Sequence, residues 1–482
     1  VDVLTAMAIA VSVGHLVAIF GFLMVQRREP SATLAWLLTL MFLPVVGVLF
    51  FWMFGSQRAR RRTHRARRVS EQVQAVLDAH ASLHPRSQDL VAADPRTAAL
   101  LALAHRTTGS GVSTGNRVDI LVNGAATYRA MIEATAQARH HIHMLFYIVQ
   151  PDDTGRAVRD HLVRRARDGV QVRVIVDGVG SLLLPGDFWD PLRAVGGQVA
   201  IYGPVGRLFH LRRRDRVDYR NHRKILVIDG RIGFTGGINV GREYLGLDPN
   251  IGHWRDTHIR IEGPAVLSLA RTFAEDWFEA TDALLDDSAL YPTPAPDLQG
   301  DTAVLIVESG PDQRWSPLHR LYARAILLAR ERVWVTSPYF VPDPVIEHAL
   351  ITAALSGVDV RILLPSRSDH LLVTLAARGY YPDLLAAGVK IHEYARGFVH
   401  AKTLVVDDWL GTVGSANMDI RSFRLNFELN AFVFGARVTS ELASQFEDDL
   451  AHAAPVDERT HGDPPYYRRL MLSAARLLSP LL

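Results

Sequence analysis

The sequence predicts an α/β protein made of two copies of one α/β unit, packed face to face and preceded by a two-helix membrane hairpin. Three observations carry this. From about residue 115, short apolar β-prone runs alternate with stretches of helical spacing. The second half repeats the first: Gly169-Val170-Gln171-Val172-Arg173 returns as Gly357-Val358-Asp359-Val360-Arg361, and His222, Lys224 and Asp229 return as His400, Lys402 and Asp407. Val3 to Val25 and Leu34 to Phe54 contain no Asp, Glu, Lys or Arg. The 482 residues, 48% hydrophobic and 21% charged, suffice for about three domain-sized units and exclude a wholly disordered chain.

Each charge-free stretch is long enough to cross a hydrocarbon core of about 30 Å. The joint between them, Gln26-Arg27-Arg28-Glu29-Pro30, is short and polar. A second span follows at once without a small-residue cleavage site, which favours a hairpin over a signal peptide. Arg27 and Arg28 lie in the joint, whereas Arg58, Arg60, Arg61, Arg62, Arg65, Arg67 and Arg68 follow the second span. That bias places the long C-terminal part on the cytoplasmic side. The same arginines suit anionic headgroups.

The expected organisation is a transmembrane hairpin over 1–56, a basic and polar helical connector over 57–112, a first unit over 113–290, a second over 300–460, and an amphipathic tail over 461–482. Strands are expected at Asp119–Val122, His141–Val149 and Val170–Val176, with helical spacing over 155–168. The first unit carries a ten-residue insertion before its histidine, within the arginine-rich stretch Arg207 to Arg220. The tail has Tyr466, Tyr467, Arg468, Arg469 and Arg476 among leucines, and reads either as an interfacial helix or as one docked on the domain.

Asn221-His222-Arg223-Lys224 and Val399-His400-Ala401-Lys402 open the matched segments, each of the form His-x-Lys-x4-Asp. The residues between Lys and Asp are apolar and β-prone. On a strand, residues two apart share a face, so His and Lys point into one small volume. Only three of the 53 basic residues are lysines, and two of them sit in these motifs. Gly236-Gly237-Ile238-Asn239 and Gly414-Ser415-Ala416-Asn417 follow at the same distance.

This chemistry fits phosphate. Two lysines and the amides of Asn239 and Asn417 hold non-bridging oxygens. One neutral histidine attacks phosphorus, and the other, protonated, serves the leaving alkoxide. Each imidazole needs an acid at its far nitrogen. Asp256 lies 34 residues after His222 and Glu428 lies 28 after His400, each at an apolar strand, so both are candidate histidine-orienting residues. The candidate catalytic set is His222, Lys224, Asp229, His400, Lys402 and Asp407, the two aspartates being expected to tie down backbone rather than do chemistry. No metal or other cofactor is demanded: there is no HExxH, and His141 and His143 share a strand face without an acid nearby in sequence. The absence of cysteine excludes disulfides, thiolate metal sites and a cysteine nucleophile. Arg207, Arg212, Arg213, Arg214, Arg216, Arg220 and Arg223 crowd the approach to His222 and suit anionic headgroups.

With these motifs the chain resembles the two-motif phospholipase D superfamily and, within it, the bacterial cardiolipin synthases. The resemblance extends to Ala35-Trp36-Leu37-Leu38, Leu43-Pro44-Val45-Val46-Gly47, Trp254-Arg255-Asp256-Thr257-His258, Thr336-Ser337-Pro338-Tyr339 and Arg421-Ser422-Phe423. It implies two phospholipase D-like α/β repeats and a phosphatidyl transfer. One phosphatidylglycerol gives its phosphatidyl group to a histidine and releases glycerol; a second takes it up to give cardiolipin. It also implies His222 as nucleophile and His400 as acid and base, with the reverse left open. Ser415 is then a phosphate-binding hydroxyl, and Gly237 at the matched position is a departure from it. The implied partners are phosphatidylglycerol and anionic membrane lipids, with no nucleic acid; a homo-oligomer is compatible with the sequence. The implied location is the bacterial inner membrane, spanned more than once. Water or serine as acceptor would use the same site as a phospholipase D or a phosphatidylserine synthase, and a non-enzymatic lipid-binding scaffold is the rival outside enzymology.

Overall fold

The computed structural model describes residues 30–43, 94–203, 218–249, 251–293, 300–367, 370–457 and 465–477, with isolated positions elsewhere. The chain divides into two compact units: residues 1–61 with 206–219, and the remainder.

In the smaller unit, Pro30–Phe42 forms a 13-residue helix that carries no acidic or basic residue. Leu34, Leu38, Met41 and Phe42 are exposed on it. At 1.5 Å per residue it extends about 20 Å. No helix among the described residues is long and apolar enough to cross a membrane. The expected first span, and most of the second beyond Leu43, lie outside the described residues, as do Arg207 to Arg216.

The larger unit is built on one mixed sheet of sixteen strands. In the first repeat the strand order is Ser113–Val122, Thr257–Glu262, Ile232–Gly236, Ile225–Ile228, His141–Phe146, Gln171–Asp177, Gln198–Tyr202. The second repeat has the same order: Thr302–Ser309, Asn426–Phe434, Leu410–Gly414, Thr403–Val406, Arg332–Thr336, Asp359–Pro365, Lys390–Tyr394. The leading strands of the two orders pair antiparallel, with Ser113 opposite Val304. The expected strand at 119–122 lies within Ser113–Val122, that at 170–176 matches Gln171–Asp177 to one residue at each end, and that at 141–149 ends early, at Phe146.

Burial follows from the alternation of side chains along each strand. Ile225, Val227 and Ile259 of the first repeat share one core with Val405, Val413 and Leu429 of the second. The helices Ala265–Thr281 and Ala436–Leu450 contribute Phe273 and Phe446 to it. The opposite faces have separate cores, one around Ile142, Val174 and Leu226 and the other around Val335, Ile362 and Leu404. The two repeats therefore meet through their inner faces, and this positions the site.

His141 and His143 are buried in that framework, their rings 4.5 Å apart, and His143 stacks on Phe273 at 4.5 Å. Burial pushes His141 down to about 4 and lowers His143 as well, which favours the neutral form of both rings. In the connector, Pro95–Thr108 is a helix capped by Asp94, and its Leu100 and Ala104 are fully buried in the second repeat's core. The tail forms the helix Tyr466–Leu477, which docks on Leu371–Arg378. Its Leu472 and Ala475 are buried and Arg476 reaches Glu347 at 2.9 Å, while Tyr466, Tyr467, Leu470 and Leu477 stay exposed.

One expectation fails inside the core. Arg223 does not face headgroups: it is fully buried, with Nη1 donating to Asp276 at 2.6 and 2.8 Å and Nε to the Glu428 carbonyl at 3.2 Å. Glu308 lies 3.7 Å from its other terminal nitrogen. Strand alternation turns it away from the face that His222 and Lys224 share. Removing one partner of a buried ion pair strands the other. Asp276→Ala is therefore expected to cost about 3 kcal/mol, read as a shift in urea unfolding of the protein in detergent; no shift would mean that Glu308 alone satisfies the guanidinium.

Candidate active site

The two His-x-Lys segments enter the site by the same local pairing. Arg220–Asn221 runs parallel to Asn426–Phe427 of the second repeat. Gly397–Val399 runs parallel to His253–Arg255 of the first. The amide of His222 donates to the Phe427 carbonyl at 2.9 Å, and that of His400 to the Arg255 carbonyl at 2.7 Å. Each histidine is thus laid beside the acid-bearing segment of the opposite repeat.

The consequence is a crossed pairing. His222 Nδ1 lies 3.0 Å from both oxygens of Glu428. His400 Nδ1 lies 2.7 Å from Asp256 Oδ2. The sequence places Asp256 nearer His222 and Glu428 nearer His400, so proximity along the chain points to the wrong partner in each case. With Nδ1–H donated to a carboxylate, the Nε2 lone pair of each ring is left for chemistry. Both rings line one cavity of about 1110 Å³.

The acids are themselves fixed. Glu428 accepts hydrogen bonds from Ser415 Oγ at 2.5 Å and from Asn426 Nδ2 at 3.1 Å. Asp256 accepts one from the Thr257 amide at 2.8 Å. Burial alone would raise both carboxyls, but His222, Lys224 and Ser415 together outweigh it at Glu428, and His400, Lys402 and the Thr257 amide together outweigh it at Asp256. Both are held below the ordinary carboxylate range.

Lys224 Nζ donates to the His222 carbonyl at 2.6 Å, and Lys402 Nζ to the His400 carbonyl at 2.5 Å. Both lysines are buried and both act electrostatically on both imidazoles. Burial lowers His222 to about 4 against the pull of Glu428; at His400 burial and Lys402 do the same against Asp256, again to about 4. Burial also lowers Lys224 to about 7, opposed by Glu428 and assisted by Lys402. Two lysines and two carboxylates thus surround two imidazoles that burial favours in the neutral form. An arriving phosphodiester adds one negative charge, which favours protonation of one ring.

Asn239 and Asn417 both line the cavity. Asn239 accepts from the Ile148 amide at 3.2 Å and donates to the Tyr244 hydroxyl at 3.0 Å. Asn417 Oδ1 is buried with no hydrogen-bond partner among the described residues. Ser415 does not fit its expected role. It is fully buried, lies outside the cavity lining and spends its hydroxyl on Glu428. Gly237 occupies the matched position because a Cβ there would meet Asp256 Oδ1 at 2.1 Å.

Asp229 and Asp407 are also outside the lining. Each takes a positive φ, 53° and 51°, at the turn that follows its strand. Asp229 accepts the amides of Arg139, His140 and His141 at 2.7 to 2.8 Å. Asp407 accepts those of Arg330, Glu331 and Arg332 at 2.9 to 3.3 Å, and Arg96 at 2.5 Å. Both fasten neighbouring backbone, as expected of them, and the His, Lys, Asn and orienting acids gather at the site. Sequence reasoning missed the aromatic wall. Tyr147 meets the His222 ring at 4.8 Å, and Trp254 meets the His400 ring at 4.9 Å. It also missed Glu243 and Arg421, which line the cavity; the signal was there, since each stands four residues after its motif asparagine.

Comparison with known proteins agrees with this geometry. The chain belongs to the phospholipase D-like cardiolipin synthase family: residues 131–277 and 322–450 match its family described as "Cardiolipin synthase, PLD-like domain", and residues 15–56 match the "Phospholipase_D-nuclease N-terminal" family. Among curated relatives, it is 42% identical to the cardiolipin synthase of Geobacillus thermodenitrificans, over 95% of this chain and 90% of that one. It is 37% identical to the major cardiolipin synthase of Bacillus subtilis, over 95% of each. The crystal structure of phosphatidylserine synthase from Haemophilus influenzae shares the fold, with a TM-score of 0.58 at 15% identity over 76% of this chain and 95% of that one.

The titrations fix the expected pH profile. His222 attacks only when neutral, so turnover rises as pH climbs through about 4; His400, also near 4 in the free protein, is raised by the bound phosphodiester, and turnover falls as Lys224 loses its charge through about 7. A bell-shaped kcat with these limbs is expected, since kcat reports the substrate-bound form. In Lys224→Arg the alkaline limb should move beyond pH 9 at a lower plateau, because guanidinium does not titrate there. An unmoved alkaline limb in that variant would assign it to another group.

Proposed function

We propose that the protein is a phosphatidyltransferase that makes cardiolipin from two molecules of phosphatidylglycerol. The observation that carries this is the one cavity that both imidazoles line, each held by the other repeat's acid, with both buried lysines acting electrostatically on both rings. The high-coverage kinship with cardiolipin synthases supports the choice of lipid.

In this reading the phosphodiester lies between the two rings. Lys224, Lys402, Asn239 and Asn417 meet its non-bridging oxygens. His222 Nε2 attacks phosphorus, the P–O bond to glycerol breaks, and protonated His400 gives its proton to the departing oxygen. Neutral His400 then takes the proton of the second lipid's primary hydroxyl as that oxygen attacks phosphorus and the N–P bond breaks. His222 is regenerated and no proton is gained or lost. Glu428 and Asp256 stabilise the imidazolium or phosphoimidazole that forms at each ring.

The N-terminal segment is proposed to hold the site at the bacterial cell membrane, with the larger unit on the cytoplasmic side. The arginine bias and the match to the N-terminal family support this. Tethering raises the local concentration of lipid substrate.

Purified protein given phosphatidylglycerol alone should yield cardiolipin and glycerol in equal amounts, and His222→Ala should lower the rate by about 10³-fold or more. Phosphatidic acid in place of cardiolipin would mean a phospholipase D. Serine-dependent product would mean a phosphatidylserine synthase. Turnover that survives His222→Ala would remove the proposed nucleophile. Because the chain has no cysteine, Ser70→Cys offers a unique thiol for topology. In intact cells it should resist a membrane-impermeant maleimide and react after permeabilisation; labelling from outside would reverse the orientation.

A further inference from the structure

The two repeats supply the site with matched His, Lys and Asn residues, but the charges that follow each motif asparagine differ: two positions on, the second repeat has Asp419, which lines the cavity, where the first has Gly241. Four positions after the motif asparagine, the first repeat has Glu243 and the second has Arg421, and both side chains line the cavity. They belong to different walls. Glu243 hydrogen-bonds with Tyr244 and Gln150. Tyr244 stands 6.3 Å from the His400 ring and 4.8 Å from Trp254, which itself meets His400. Arg421 acts on Tyr147, whose ring meets His222. Glu243 therefore lies on the wall beside His400, whereas Arg421 lies on the wall beside His222, together with Asp419, whose carboxylate is taken up by Ser422 and Asn417.

A phosphate anion gains nothing from a neighbouring carboxylate, so Glu243 must face another part of the substrate. Displacement at phosphorus is in line, which puts the alcohol on the side opposite the nucleophile. With His222 as nucleophile, the leaving alcohol and then the incoming one both occupy the His400 side. A carboxylate there accepts hydrogen bonds from hydroxyls, and these are stronger than neutral ones. Its own hold on Tyr244 continues to Asn239, so the acid is tied to the phosphate-binding amide.

We propose that Glu243, held by Tyr244 and Gln150, forms a polyol subsite that accepts hydrogen bonds from the glycerol headgroup. It holds the departing glycerol first and the headgroup of the acceptor lipid second. The subsite rests on the reading of His222 as nucleophile and His400 as acid and base. It gives the site a means to prefer a polyhydroxyl acceptor over water or a simple alcohol, which the matched His, Lys and Asn residues cannot provide. A site built to bond a hydroxyl discriminates strongly against a competitor lacking it.

The test uses the full-length protein in mixed micelles of phosphatidylglycerol with added 1-butanol. Cardiolipin and phosphatidylbutanol then arise from one phosphohistidine intermediate, so their ratio reports the second step alone. In Glu243→Gln the ratio is expected to fall at least tenfold, and in Glu243→Asp, which keeps a carboxylate, it should fall less. A ratio within twofold of the unmodified protein in both variants would overturn the subsite. So would loss of both products in both variants, which would put Glu243 in the chemistry at phosphorus or in folding. Preferential transfer to ethanolamine over phosphatidylglycerol by the unmodified protein would make the ligand an amine and would also overturn it. Absence of both products from the unmodified protein would instead sink the phosphatidyltransferase reading itself.

Discussion

Everything at the site depends on two buried carboxylate–imidazole contacts that cross between the repeats. Glu428 holds His222 and Asp256 holds His400. A buried carboxylate without a partner is costly, and so is a buried ammonium. Neither repeat satisfies its own set: its histidine lacks an orienting acid and its acid lacks an imidazole until the inner faces meet. The core that the two halves share supplies the apolar stabilisation that makes this meeting favourable. Assembly of the core and assembly of the charges are therefore one event.

The near-twofold frame is then adjusted where function requires the halves to differ. Glutamate and aspartate are one methylene apart, and the turn beside each compensates. Ser415 extends a hydroxyl to Glu428, whereas Gly237 clears the space that Asp256 fills. The departure noticed in the sequence is thus a fit between turn and acid, with no phosphate ligand lost. Glu243 and Arg421 break the symmetry in the opposite sense, by placing unlike charges on the two walls of one cavity.

Much of the site was legible because it is local. A strand puts His and Lys two residues apart on one face, so their convergence follows from the spacing of one motif. The glycine–asparagine turn is likewise local, and Asn239 and Asn417 do reach the cavity. Asp229 and Asp407 sit in the same motif, but the strand carries them to its far end. There a left-handed turn aims the carboxylate at backbone amides, as the bland reading of those residues expected. Arg223 was misread because a run of arginines resembles a solvated patch, and a buried partner such as Asp276 leaves no mark nearby in the sequence.

By itself the sequence determined the α/β class, the duplication, the strand that carries each His–Lys pair and the chemistry those pairs suit, since all of these rest on short-range periodicity and on repetition. Only the tertiary structure decided which acid serves which histidine, which glycine is obligatory and which charged residues are core. Those depend on contacts between residues as distant as His222 and Glu428, and burial and charge compensation act on neighbours in space, whatever their separation along the chain.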